Sequence, residues 1–375
     1  MSAITPFSIN ISDAALSALQ TRLAQSVLPS VTDRGWSQGP AIDYVQVALA
    51  RLHDGYDWRA HEAAINAHPQ FTTTIDGQNI HFLHVKSTAP NAIPLLLIHG
   101  WPGSFVEFLD VIAPLTDGTS GQAFDLVIPS LPGFGFSGPT SEAGWNNGRI
   151  ALALTELMTR LGYTKFGVQG GDAGAIIGPE ITRLVPDRVI GVQLHAATLG
   201  FIPFGPIEPE IIAGFNEREL VRVQRLQRFM AEHFAFNAVQ SSRPQALAYA
   251  ISDSPVGLLA WISELFTSFG DRPDAVDRDK FLTNFMIYWF TGTAASSIRL
   301  YYENAHDPAA WAPKANSGVP TGVAVYGFDE VPLRYVGEQS NTIVRWTEFD
   351  VGGHYAVMEV PTIWVREVRA FFAGL

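Results

Sequence analysis

Three separated segments hold the residues whose types and spacing can do chemistry. In the first, Gly170-x-Asp172-x-Gly174 joins an apolar run, Lys165–Gln169, to a helical pattern, Ala175–Leu184. An acidic residue with a glycine two places away on each side, between strand and helix, has the form of a nucleophile elbow with Asp where Ser is usual. At the apex of so sharp a turn the side chain projects from the carboxyl end of the strand. It also sits at the start of a helix whose dipole favours an anion. Read this way, Asp172 is a carboxylate nucleophile; read otherwise it is a helix cap, a common use of Asp at such junctions. A dinucleotide phosphate loop fits less well, because the spacing is not G-x-G-x-x-G.

The second segment, His99-Gly100-Trp101-Pro102, follows the apolar run Pro94–Ile98. A loop in this place in α/β-hydrolases donates one backbone N–H to an oxyanion hole, and the residue after the nucleophile donates another. That assigns the N–H groups of Trp101 and Ala173, whatever the nucleophile. His99 itself reads as a structural hydrogen-bonding residue. The third segment, Gly352-Gly353-His354, lies between a late strand pattern, Thr342–Phe349, and the last helix. Of the ten histidines, His354 alone occupies the place of the base in this fold. The chain order nucleophile, acid, histidine then asks for an acid in between. Asp329 follows the strand pattern Gly322–Tyr326, with Glu330 second choice; the plainer reading makes Asp329 a turn residue. No HExxH or comparable spacing suggests a metal, and no cofactor is expected.

These segments need elements to position them. Short apolar runs at Asp125–Ile128 and Val189–Leu194 join those already named, spaced by helical patterns at Phe105–Leu115 and Ile150–Leu161. Such alternation predicts a mostly parallel sheet with helices on both faces. Phe71–Ile75 and Ile80–Val85 flank Asp76-Gly77 and predict a hairpin. Before them, Asp13–Val27, Ile42–Leu52 and Trp58–Asn66 predict helices with few strand-like runs between. From about Gly200 to Pro308 alternation stops, and Glu208–Phe236, Pro244–Ile251, Val256–Phe269 and Asp279–Tyr302 all predict helix. The division expected is an N-terminal extension over 1–68, a core over 69–199 and 310–375, and an inserted helical lid over 200–309.

Composition narrows the class. Apolar residues make up 47% and charged residues 16%, enough for a large core and too apolar for disorder. A net charge of −12 repels phosphate backbones, so no nucleic-acid partner is expected. Without a single cysteine, disulfides and thiol catalysis are excluded. Met1–Gln20 lacks a basic segment followed by a continuous apolar stretch. Apolar runs elsewhere fall short of the roughly 18 residues of a membrane span. A soluble cytoplasmic protein without membrane anchor is expected.

With these residues in place, the chain resembles the microsomal-type epoxide hydrolases, α/β-hydrolases whose N-terminal extension wraps the core. The resemblance runs nearly end to end. It is carried by Tyr56-Asp57-Trp58-Arg59, His99-Gly100-Trp101-Pro102-Gly103-Ser104, Pro129-Ser130-Leu131-Pro132-Gly133-Phe134-Gly135-Phe136-Ser137 and Gln169-Gly170-Gly171-Asp172. Late matches are Asp253-Ser254-Pro255-Val256-Gly257-Leu258, Leu282–Trp289 and Gly352-Gly353-His354-Tyr355. It implies an epoxide substrate and water, an ester formed on Asp172, and its hydrolysis by a water that His354 activates with Asp329 behind it. It also implies two lid tyrosines that donate to the departing oxygen, and Tyr301 matches one.

The chain departs from the pattern twice. Counting back from Asp253-Ser254-Pro255, the other lid tyrosine falls on Phe236, which keeps the apolar shape without a donor. The tryptophan that usually follows the nucleophile is Ala173. Tyr302 or Tyr249 are candidates to make good the missing donor, and Trp101, Phe236 and Tyr302 are expected to touch substrate. Two other readings stand beside this one. Haloalkane hydrolysis uses the same Asp ester but usually needs an indole N–H beside the nucleophile; a lapsed hydrolase would bind an apolar ligand without turnover.

Overall fold

The computed structural model describes residues 2–30, 32, 34–203, 205–270, 272, 274–329 and 331–375. Strands are β1 (Thr5–Phe7), β2 (Gln70–Ile75), β3 (Gln78–Val85), β4 (Ile93–Ile98), β5 (Phe124–Pro129), β6 (Phe166–Gly171), β7 (Val189–His195), β8 (Pro320–Val325) and β9 (Thr342–Glu348). They form one nine-stranded sheet in the order β1-β2-β3-β5-β4-β6-β7-β8-β9. From β5 through β9 every neighbouring pair is parallel; β1, β2 and β3 pair antiparallel at the other edge.

Alternate residues of β6 show why its strand reads as continuously apolar. Val168 faces Gly178 in the helix Ala173–Leu184, whereas a side chain at Gly167 would meet Phe372 of the helix Pro361–Phe372. Both faces are covered, and the strand's one polar side chain, Gln169, is buried with its Nε2 2.8 Å from His195 Nδ1. In β4, Leu95, Leu96, Leu97 and Ile98 have no exposed surface, and burying each such side chain stabilises by about 1.5–3 kcal/mol.

Between β7 and β8 the described residues form helices and connecting turns only. The long helix predicted over Glu208–Phe236 is broken into Pro209–Ile212, Glu217–Arg228, a π-turn at Phe229–His233 and Ala235–Ser242. Asn216 starts the second piece with a capping box, its side chain bonded to Glu219 N–H and Glu219 returning to Asn216 N–H. The predicted helix Asp279–Tyr302 also divides, into Arg278–Thr291, Ala294–Ser297 and Arg299–Ala305, with Gly292 in the left-handed conformation closing the first piece.

The first 68 residues hold the three predicted helices, observed as Asp13–Ala24, Ile42–His53 and Trp58–Asn66. They also contribute β1, which the sequence does not announce. Three residues are too few to show a period, and β1 exists because Thr5 and Phe7 pair with Thr72 and Gln70. The same region reaches the inserted helices. Arg51 holds Asp279 through two hydrogen bonds of 2.9 and 2.7 Å, and Tyr56 Oη lies 2.8 Å from Thr283 Oγ1.

Candidate active site

β4 and β6 are neighbours, and the loops leaving their carboxyl ends meet at Asp172. Asp172 has φ 53° and ψ −117°, a conformation that costs a non-glycine residue about 1–3 kcal/mol. Holding so tight a turn demands close approach, and a Cβ at Gly174 would overlap the Ile98 carbonyl of β4. The carboxylate does not cap its own helix. Instead Oδ1 accepts the Trp101 N–H at 2.9 Å, and the adjoining Ala173 N–H helps to hold the carboxyl's pKa down. A Cβ at Gly100 would collide with Oδ1, so only glycine lets the β4 loop come this near.

His354 Nε2 lies 3.4 Å from Asp172 Oδ2, and His354 Nδ1 lies 3.1 Å from Asp329 Oδ1. The structure thus brings together three residues from the ends of β6, β8 and β9. Glu330, the second candidate for the acid, lies outside the described residues. Phe269, at the end of the helix Pro255–Ser268, accepts the His354 N–H at 2.8 Å, tying the base's backbone to the inserted helices.

Electrostatics follow from this packing. Burial alone would raise the Asp172 carboxyl, but His354 and the two backbone N–H groups outweigh it and hold the pKa below the ordinary value. Burial would lower His354, yet Asp329 and Asp172 together raise it well above the ordinary value. At neutral pH the resting pair is therefore carboxylate and imidazolium. His99 is the opposite case. It is buried, with Nδ1 3.0 Å from the Gly100 carbonyl and Nε2 accepting the Leu131 N–H at 3.2 Å, so its neutral form is locked and burial pushes its pKa down to about 4. It shapes the loop, as its sequence position suggests.

Above Asp172, Trp101, Phe236 and Tyr301 form an aromatic box. Trp101 stacks on Phe236 with centroids 6.0 Å apart, and Tyr301 meets both edge-on at 5.8 and 5.9 Å. Burial and the nearby Asp172 charge raise Tyr301 well above the usual phenol range, so its proton stays on. Tyr302 is a correction. It is 38% exposed and stacks on His306 at 4.0 Å, because the residue next to an inward-facing one on a helix points elsewhere. Tyr249 is 73% exposed and supplies no donor here either.

Several residues of the site escape a reading by motif. Asn284 and Tyr288, one helical turn apart, donate to the carbonyls of Pro102 and Gly103 at 2.7 Å each and clamp the loop after β4. Glu107 is buried below the same loop, with His195 and Tyr355 nearby around one small cavity. The pattern Phe105–Leu115 holds two charges, Glu107 and Asp110, and only the fold shows that Asp110 is exposed while Glu107 turns inward. Among the described residues no cluster of His, Asp and Glu could hold a metal ion. No single helix among them is long and apolar enough to cross a membrane.

A parallel sheet with an acidic elbow, an oxyanion loop on the adjacent strand and a late histidine backed by an acid defines an α/β-hydrolase with an aspartate at the nucleophile position. Comparison with known proteins agrees. The family described as epoxide hydrolase N terminus matches residues 4–108, and the alpha/beta hydrolase fold family matches 93–245. A putative epoxide hydrolase of Stigmatella aurantiaca is 39% identical, over 99% of this chain and 85% of its own length. Epoxide hydrolase 1 of Sus scrofa is 33% identical, over 99% and 89%. Among solved structures, the juvenile hormone epoxide hydrolase of Bombyx mori superposes with a TM-score of 0.89 at 27% identity, covering 100% of this chain and 95% of that one. The Aspergillus niger epoxide hydrolase gives 0.87 at 28%, covering 99% and 96%. The chain belongs to the microsomal-type epoxide hydrolase family.

Proposed function

We propose that this protein opens an apolar or aromatic epoxide to a vicinal diol through an ester on Asp172. The observation that carries the proposal is a partly buried carboxylate held by the Trp101 N–H and His354, under a roof that offers one phenol. Asp172 Oδ2 attacks an epoxide carbon; Oδ1, already bonded to the Trp101 N–H, becomes the ester carbonyl. As the C–O bond of the ring breaks, Tyr301 gives its proton to the departing oxygen. Forming the ester removes the Asp172 charge, which is one of the causes raising His354. The imidazole then loses its proton more readily and can take one from water, with Asp329 fixing its orientation. Water attacks the ester carbonyl, and the Trp101 and Ala173 N–H groups stabilise the oxyanion. Trp101 and Phe236 are apolar walls for the substrate, which favours an apolar or aromatic epoxide.

Incubation with an aryl epoxide and, separately, a haloalkane of matched size tests this reading. Diol without halide release is expected. Halide release would assign the ester chemistry to carbon–halogen bonds, and binding of the epoxide without turnover would mean a lapsed hydrolase. A cytoplasmic location is part of the same proposal, and fractionation of cells expressing the chain without a tag tests it.

A further inference from the structure

Beneath the carboxylate lies a cavity of about 10 Å³, close to the volume needed for one water molecule. Trp101, Glu107, Asp172, His195, His354 and Tyr355 line it, and neither Tyr301 nor Phe236 does. Trp101 alone belongs both to this cavity and to the aromatic box. Three of its lining side chains, Glu107, His195 and Tyr355, play no part in the chemistry described so far. Glu107 is 9% exposed and is placed so close to the loop that a Cβ at Gly103 would overlap its Oε1. The Tyr355 hydroxyl is buried and has no hydrogen-bond partner among the described residues. Buried polar groups of this kind are ordinarily satisfied by protein or by an ordered water. Burial raises Glu107 to about 8, with His354 opposing and Asp172 adding to the rise, so its carboxyl carries a proton at neutral pH. A neutral carboxyl still offers a carbonyl oxygen as acceptor.

We propose that this cavity seats the water that hydrolyses the Asp172 ester, and that Glu107 accepts this water's second hydrogen bond and sets its direction of attack. The inference rests on the ester reading above. The water oxygen forms a bond to Asp172 Cγ while its first proton passes to His354 Nε2; the second O–H stays bonded to Glu107. Collapse of the tetrahedral carbon breaks its bond to the substrate oxygen, which takes the proton from His354 and leaves as the diol. Asp172 is left as a carboxylic acid whose proton returns to His354, restoring the resting carboxylate and imidazolium, and the proton that His354 gave up before water attack replaces the one Tyr301 lost in ring opening. His195 only walls the cavity. Its Nδ1 is 2.8 Å from Gln169 Nε2, and burial pushes its pKa down to about 3, so it brings no charge.

Glu107→Met removes the acceptor at similar volume; Glu107→Gln keeps a carbonyl oxygen in the same place. Single-turnover mixing with an aryl epoxide separates the steps, with the ester followed by intact-protein mass. In Glu107→Met, ester hydrolysis is expected to slow on the order of 100-fold, as for misplacement of a reacting group, while ester formation changes by less than about threefold. Glu107→Gln is expected to restore hydrolysis to within about fivefold of wild type. Gly103→Ala, which pushes the carboxyl aside without altering it, is expected to accumulate ester as the Met variant does and guards against misfolding of that variant. Wild-type ester hydrolysis in Glu107→Met, equal losses in both steps, or a Gln variant as slow as Met would each overturn the role of Glu107. Absence of any ester on Asp172 in the wild type and in His354→Gln would instead overturn the underlying reading.

Discussion

Two surfaces face each other across Asp172, and they are built by different means. The floor is backbone: N–H groups of Trp101 and Ala173, a positive φ at Asp172, glycines that admit no Cβ, and carbonyls clamped by Asn284 and Tyr288. The roof is side chain: Phe236 and Tyr301 held against Trp101 by ring contacts of about 6 Å. Hydrogen bonds and close-packed backbone fix an atom within tenths of an ångström, whereas ring contacts tolerate shifts and substitutions. On the proposed mechanism the contrast teaches that the floor would determine whether the ester forms and breaks, and the roof would tune how readily the ring opens and on which substrate. Phe236, where the resemblance implies a tyrosine, keeps its ring contacts with Trp101 and Tyr301. No comparable change is possible at Gly100 or Gly174.

Breaking the floor has the largest expected effect. Asp172→Ala is expected to abolish diol formation, and His354→Gln to stop after ester formation with the ester trapped, both read by product analysis and intact-protein mass. Full activity in Asp172→Ala would sink the mechanism.

Asp329→Asn comes next. Removing the charge that does most to raise His354 leaves burial to lower it. The neutral imidazole is the active base, so hydrolysis is lost as pH falls through the His354 pKa. A lower pKa moves that acidic limb to lower pH. The plateau should also drop, by roughly 10²–10⁴, as when an orienting acid of a triad becomes an amide. A pH profile of single-turnover ester hydrolysis checks both, and an unmoved limb would mean that Asp329 is not the partner that charges His354.

At the roof the effects should be smaller. Tyr301→Phe is expected to slow ring opening on the order of 10²–10³, by analogy with loss of one donor to a developing oxyanion. Wild-type rates of ester formation would place the donor elsewhere. Phe236→Tyr adds a second phenol opposite the first and is expected to speed ring opening on the order of tenfold, about the worth of one further hydrogen bond. No change there would mean that a single donor already saturates the step.

Much of the floor was legible because it is local. The elbow at Gly170–Gly174, the loop after β4 and the strands that carry them are encoded within a few residues, by glycines where backbones touch and by apolar runs where both faces are buried. The lid was less legible. Its helical character shows in composition, but Asn216 and Gly292 divide two of its predicted helices, and both carried known capping signals that a periodicity reading passes over. β1 escaped altogether, since its only support is a partner 67 residues away. Tyr302 was misplaced for a related reason: adjacent helical residues point in different directions, and the sequence shows only that two tyrosines are adjacent.

What the sequence by itself determined is the order and kind of the elements, the strained turn that holds Asp172, and the late histidine, because dihedral preference and hydrophobic period act over short stretches. Only the tertiary structure decided which acid stands behind His354, which tyrosine faces Asp172, and that Glu107 keeps its proton beside a cavity for one water. Those outcomes depend on burial and on charges brought together from segments far apart in the chain, as Glu107 and His354 are, 247 residues from each other. Distance in sequence carries no trace of them.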